Sequence, residues 1–178
     1  MTRKCIIIVD RAWARFITVE TPVDPSIQGG PHLLEHRDLV NPEATLPERG
    51  LFSDRSGRAH ASPTGAAHAL DDHREEHLHE MDRRYARWVL GEAAGFVAAE
   101  RASRLLIVAE PRLLGVLREQ VQPERFHGVE ITDLTEEIAQ LPLEQIHTIL
   151  AQHGAVHGAK PPRAGAVLRP RGQPPAKR

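Results

Sequence analysis

Aromatic residues make up only 4% of this 178-residue chain, and cysteine occurs once. With few large rings available, a core has to be assembled from Leu, Ile, Val and Ala. The single Cys5 excludes an intrachain disulfide and a multi-cysteine zinc site. Its place in the apolar run CIIIV marks it as a small core residue rather than a reactive thiol. No stretch approaches the roughly 18 apolar residues needed to span a bilayer. Arg3 and Lys4 do precede an apolar run, but Asp10 breaks it too early for a secretory signal, so a cytoplasmic protein is expected. The patterns G-x-x-x-x-G-K-S/T, G-x-G-x-x-G and G-x-S-x-G are all missing, and Cys5 lacks a catalytic context. Nothing compels an enzyme, and no cofactor is implied.

What is present is an ordinary globular composition, 40% hydrophobic and 26% charged, at a length that suits one domain with a sizeable core. The formal charge of −1 hides an asymmetry. Six of the 23 bases and none of the 24 acids lie from Gly154 onward, so residues 1–153 hold 17 bases against 24 acids, a formal −7. The segment 154–178, GAVHGAKPPRAGAVLRPRGQPPAKR, is rich in Pro, Gly and Ala and has no usable periodicity. It is expected to be a disordered basic tail on an α/β domain of residues 1–153, either solvated or in contact with a polyanion.

The run KCIIIVD predicts a strand covered on both faces. WARFITVE alternates, and Asp10-Arg11-Ala12 between them is short enough for a hairpin. HLLEHRDLV predicts a third strand, followed by a long loop over residues 41–71 with three prolines and three glycines. From Asp72 the period becomes helical, with Leu78, Met81, Tyr85, Trp88, Val89, Ala93, Phe96 and Val97 on one side. RLLIVA predicts a buried strand, and Pro111 starts a helix to about Gln120. HGVEIT predicts a short strand, Asp133 an N-cap, and a helix or helix pair broken near Pro142 ends around His153. The expected fold is α/β, a single domain with a mixed sheet of about five strands in the ribonuclease H-like order β-β-β-α-β-α-β-α.

Three constellations bear on chemistry. Asp10, Glu110 and Asp133 fall at strand ends, where three carboxylates suit a divalent metal and phosphodiester hydrolysis. Each also has a structural use, as hairpin turn, helix start and N-cap. HREEH places His73 and His77 one turn apart around Glu76, an inverted zinc-hydrolase pattern, but at the acidic start of a surface helix. The loop LFSDRSGRAH offers Arg55 and Arg58 to phosphate or carboxylate, with Asp54, Ser56 and Gly57 as turn formers. Arg112 and Arg118 flank the helix start at Pro111, whose backbone N–H groups favour an anion. Pairing of these arginines with the domain's own carboxylates is the competing explanation.

Taken together, VDRAWARF, LFSDRSGRAHAS, LIVAEPRLLGVLR and TDLT resemble the bacterial host attachment protein family, named for being required for attachment to host cells. The resemblance spans nearly all of residues 4–150 and rests on Asp10, Ala14, Arg15, Asp54, Arg55, Gly57, Arg58, Pro111, Leu114, Gly115, Leu117, Arg118, Asp133, Leu134 and Thr135. Glu110 and Thr132 depart from its pattern, where a neutral and a basic residue are usual. The family has no established catalytic residues. Its kinship to bacterial relatives of the central, ribonuclease H-like domain of archaeal and eukaryotic release factors implies a translation-associated role at the ribosome or transfer RNA. Peptidyl-tRNA hydrolysis by a Gly-Gly-Gln loop does not carry over, because Gly29-Gly30 is followed by Pro31.

The resulting expectation is a non-enzymatic cytoplasmic binding domain whose candidates for RNA or another polyanion are Arg55, Arg58, Arg112, Arg118 and the basic tail. The rivals are a metal-dependent hydrolase or nuclease on Asp10, Glu110 and Asp133 or on His73 and His77, and a structural partner protein in cell attachment. Gly115 is expected to permit close approach of its helix to the sheet.

Overall fold

The computed structural model describes residues 3–22, 30–44 and 66–158, with the backbone alone for 66–74. The elements run β1 (Lys4–Val9), β2 (Trp13–Glu20), β3 (His32–Val40), α1 (Ala66–Ala99), β4 (Arg104–Ala109), α2 (Pro111–Gln120), a 3-10 turn (Pro123–Arg125), β5 (Glu130–Thr135) and α3 (Leu143–Gln152).

The strands form one sheet in the order β3-β2-β1-β4-β5. β1 pairs antiparallel with β2 through the tight Asp10–Ala12 turn, and β2 pairs antiparallel with β3. β4 and β5 run parallel to β1 and to each other, as strands joined by helical crossovers must. Alternation along β1 divides its side chains between two cores. Cys5, Ile7 and Val9 face α1 and α2 with Phe16, Leu105 and Ile107. Ile6 and Ile8 face α3 with Ile17, Leu106 and Val108. Each such buried aliphatic side chain contributes about 1.5–3 kcal/mol, and β1 is central because nearly every residue in it makes that contribution.

Between β2 and β3 the register shifts at Phe16/Ile17, which leaves His36 as the extra residue opposite them. As a result His36 and Arg37 both reach the α1 face. The His36 ring sits 5.3 Å from that of Phe96, and the Arg37 guanidinium 4.7 Å above the Phe16 ring.

Five expectations are corrected. α1 begins at Ala66 rather than Asp72, so the predicted loop over 41–71 gives up its last six residues to the helix. Trp88, assigned to the buried stripe, is 41% exposed and stacks edge-on against Tyr85. Asp133 caps no helix; it lies inside β5, because pairing with Ile107 of β4 extends that strand to Thr135. Residues 136–142 are non-helical, and α3 starts after Pro142. A methyl group added at Gly115 meets nothing within 4 Å, so no close approach requires this glycine.

At 34 residues α1 is about 51 Å long, against about 20 Å for a six-residue strand. Ion pairs mark where helix and sheet coincide, Arg3 with Glu100 at one end and Arg11 with Asp82 at the other. The turns before Asp82 extend past the carboxyl ends of β1 and β4.

Candidate functional site

β1 and β4 run side by side in register, with Val9 opposite Ala109. The chain therefore leaves the sheet at two adjacent points, through Asp10 and Glu110. A cleft of about 640 Å³ opens there, lined among others by Asp10, Arg11, Glu110, Arg112, Glu137 and Gln140. This is where parallel α/β sheets gather ligands, because the strands end and the connections diverge.

Asp10 shapes both the floor and one wall. Its Oδ1 accepts from the backbone N–H groups of Ala12 at 2.7 Å and Trp13 at 2.8 Å, which folds the hairpin turn. Its Oδ2 accepts from the Gln140 side-chain amide at 2.6 Å, which pins the 136–142 segment across the end of the sheet. Arg15 holds the same segment from β2. Its Nη1 donates to the carbonyls of Ala139 at 2.9 Å and Leu141 at 2.7 Å, while Nε and Nη2 fork onto Glu35 at 2.7 and 2.8 Å. The hydrogen bonds of that fork raise the Arg15 pKa and hold the Glu35 carboxyl below its ordinary value.

On the opposite side Glu110 is the N-cap of α2, accepting from the Leu113 N–H at 3.3 Å, and Pro111 occupies the first helical position. A carboxylate thus already sits where the bare helix start was expected to attract an anion. Asp82 of α1 lies between two guanidiniums, 3.1 Å from Arg11 and 3.9 Å from Arg112. Tyr85, one turn further along α1, carries a buried hydroxyl with no hydrogen-bond partner among the described residues. Burial first, and then the charge of Asp10, raises its pKa.

The predicted site residues are only partly brought together. Asp10, Glu110 and Arg112 share the cleft. Asp133 does not join them: its carboxylate is held bidentately by Arg118 at 2.8 and 2.7 Å. No cluster of three or more metal-ligating side chains forms among the described residues. Thr135 ends β5 opposite Ala109. The backbone of α1 places His73 one turn before His77, and Glu75, Glu76, His79 and Arg112 line a second hollow of about 430 Å³. Asp54, Arg55, Gly57 and Arg58 lie outside the described residues.

Residues 5–150 match the family described as protein required for attachment to host cells. The chain belongs to this host attachment family. A search of curated proteins finds no match to it. Among the described residues of this host attachment protein, no helix is long and apolar enough to cross a membrane.

Several lining residues escape sequence reasoning. Arg11 reads only as part of a hairpin turn, and Asp82 only as one charge among many on a helix. Glu136, Glu137 and Gln140 read as helix, because TEEIAQ has good helical propensity. The signal that identifies them is the carboxylate of Asp10, whose second oxygen has no turn N–H to accept and takes Gln140 instead.

Proposed function

We propose that this host attachment protein is a binding domain with no chemistry of its own, and that it meets its partner in attachment through the cleft at the carboxyl ends of β1 and β4. The observation that carries this reading is how the two acids nearest a hydrolase's needs are engaged. Asp10 is tied to a turn and to Gln140, and Glu110 to a helix cap, while Asp133 faces elsewhere. The test reverses the charge of two exposed lining residues, Arg112→Glu with Glu137→Lys, in the producing cell. Host-cell attachment is expected to fall at least tenfold with protein level and melting temperature unchanged. Attachment at the wild-type level would remove the cleft from the function. The hydrolase reading is checked by calorimetric titration with Mg²⁺ or Mn²⁺, where heat that disappears in Asp10→Asn would put a metal site in place of the binding role.

A second reading, a cytoplasmic role at the ribosome or transfer RNA, is favoured by a different observation: six bases and no acid from Gly154 onward. The strand order β3-β2-β1-β4-β5, with β2 alone running against the rest, supports the likeness to ribonuclease H-like domains behind it. Arg55, Arg58 and Arg112 would join the tail in contacting phosphates. Sedimentation with ribosomes at low salt tests it. Full-length protein is expected to co-migrate, and both a chain ending at His153 and Arg55→Ala with Arg58→Ala to lose affinity with a shallower salt dependence. Absence of co-migration ends this reading.

A further inference from the structure

After α3 the chain reverses at Gly154, whose φ of 68° only glycine adopts without strain. The N–H groups of Ala155 and Val156 then donate to the Leu150 carbonyl at 2.8 and 3.4 Å. His147 Nε2, about one turn nearer the helix start, donates to the His157 carbonyl at 3.0 Å. Lys4, at the amino end of β1, holds the Ala155 carbonyl, and Val156 is buried in the core beneath α3. Residues 154–158 therefore lead back along α3 toward its first turn, which follows directly on the 136–142 segment that walls the cleft.

The cleft at that end of the sheet is net negative. Asp10, Glu110 and the exposed Glu137 line it beside Arg11 and Arg112, and those two guanidiniums already share Asp82. Asp10 and Glu110 keep their charge, because their partners, backbone N–H groups and the Gln140 amide, are neutral. Glu136 is left out of the balance, since His153 bonds it. Four carboxylates thus stand against two guanidiniums.

We propose that the occupant of this cleft is the chain's own segment Lys160-Pro161-Pro162-Arg163, folded back from residue 158. Residues 159–178 lie outside the described residues; they carry six bases and no acid, against the formal −7 of residues 1–153. From the level of His147 to the start of α3 is about 6 Å, and from there to Gln140 at most about 11 Å. In the extended geometry that two prolines favour, the five residues 159–163 span about 16 Å, enough to cover that path. The same geometry has three residues per turn, so Lys160 and Arg163 project from one side about 9 Å apart and both meet the cleft carboxylates. A short tether gives an effective concentration in the millimolar range, so millimolar affinity already fills about half the sites; longer tethers give less, which favours these first two bases over the later four. The inference goes beyond the reading of the cleft as the attachment site: whatever binds there has to displace this segment first.

A nitroxide on Ala164→Cys tests this in the full isotope-labelled chain, since the buried Cys5 stays unlabelled in the folded protein. The amides of Arg11, Arg112 and Gln140 are expected to lose about half their intensity or more at low salt. They are expected to recover in Lys160→Glu with Arg163→Glu, which keeps the tether and the label but reverses both charges. Recovery is also expected in about 1 M salt, where screening acts within about 3 Å. Equal broadening in the charge-reversed chain overturns the proposal, because proximity through the tether alone then explains it. Broadening centred on another surface, or none at all, overturns it too. In a mixture of nitroxide-bearing and isotope-labelled chains, broadening carried from one chain to the other puts the segment on a second copy instead. The attachment assay on Arg112→Glu with Glu137→Lys decides separately whether a partner uses the cleft, so the two readings fail independently.

Discussion

The guanidinium of Arg118 closes on the carboxylate of Asp133 through two parallel bonds, Nε to Oδ2 at 2.8 Å and Nη2 to Oδ1 at 2.7 Å, joining the last turn of α2 to β5. The sequence offers the first residue as an anion ligand and the second as a metal ligand. In the fold each is the other's counterion.

This pairing holds the Asp133 carboxyl below its ordinary value, chiefly through the hydrogen bonds from Arg118. A carboxyl whose folded value is depressed stabilises the fold above its unfolded value, and the contribution fades as pH falls through the folded one. In Arg118→Gln, Asp133 is expected to titrate back near 3.8. Carboxylate carbon shifts followed across acid pH measure both. Identical titration in the two proteins would mean the pair does not form in solution.

Arg15 is expected to matter more. Only 13% of its side chain is exposed, and it satisfies two carbonyls and Glu35 together. Arg15→Ala is expected to cost about 2 kcal/mol, since it strands a partly buried carboxylate and two acceptors. Arg15→Lys should recover less than half, because an ammonium cannot span the same fork. Urea denaturation gives both values, and a cost near zero would show that the 136–142 segment is held without this residue.

Gly115 is a helical glycine with open space where its side chain would be. Gly115→Ala is expected to raise stability by about 0.8–1 kcal/mol through helix propensity alone. A loss in the same denaturation measurement would restore the close-approach explanation.

Cys5 is fully buried, and burial pushes its thiol from 9.0 up to about 12. The native protein is expected to resist a thiol-specific disulfide reagent at pH 8 and to react fully in denaturant. The same shift lowers stability with rising pH above about 9, because the unfolded chain then releases a proton that the native one keeps. Fast reaction of the native thiol would contradict its burial.

The fold was largely legible because hydrophobic period is a local property. β1 is apolar on both faces and lies central; β2 alternates and lies next to it; the helical stripe through Tyr85, Val89, Ala93 and Phe96 packs as its spacing predicts. The expectations that failed concern competition between local and long-range preference. Asp133 is a good N-cap in isolation, yet strand pairing with Ile107 and the Arg118 fork outweigh that preference. The site was less legible still. Asp10, Glu110 and Arg112 stood out as residues at element boundaries, but Asp82 and Arg11, 71 positions apart, meet only because α1 runs back along β1. No spacing in the chain encodes that meeting.

The overhang of α1 divides one helix into two thermodynamic regimes. From Asp82 to Ala99 its amides sit over the sheet, and they open only when the core does. The turns before Asp82 reach past the carboxyl ends of β1 and β4, and among the described residues no buried core side chain belongs to them, so they are expected to open at lower free energy than the part over the core. The Asp82 contacts with Arg11 and Arg112 stand at that boundary. Hydrogen exchange along α1 should therefore show a step at this aspartate, and unwinding from the amino-terminal turns is expected to stop at the two arginines that line the cleft.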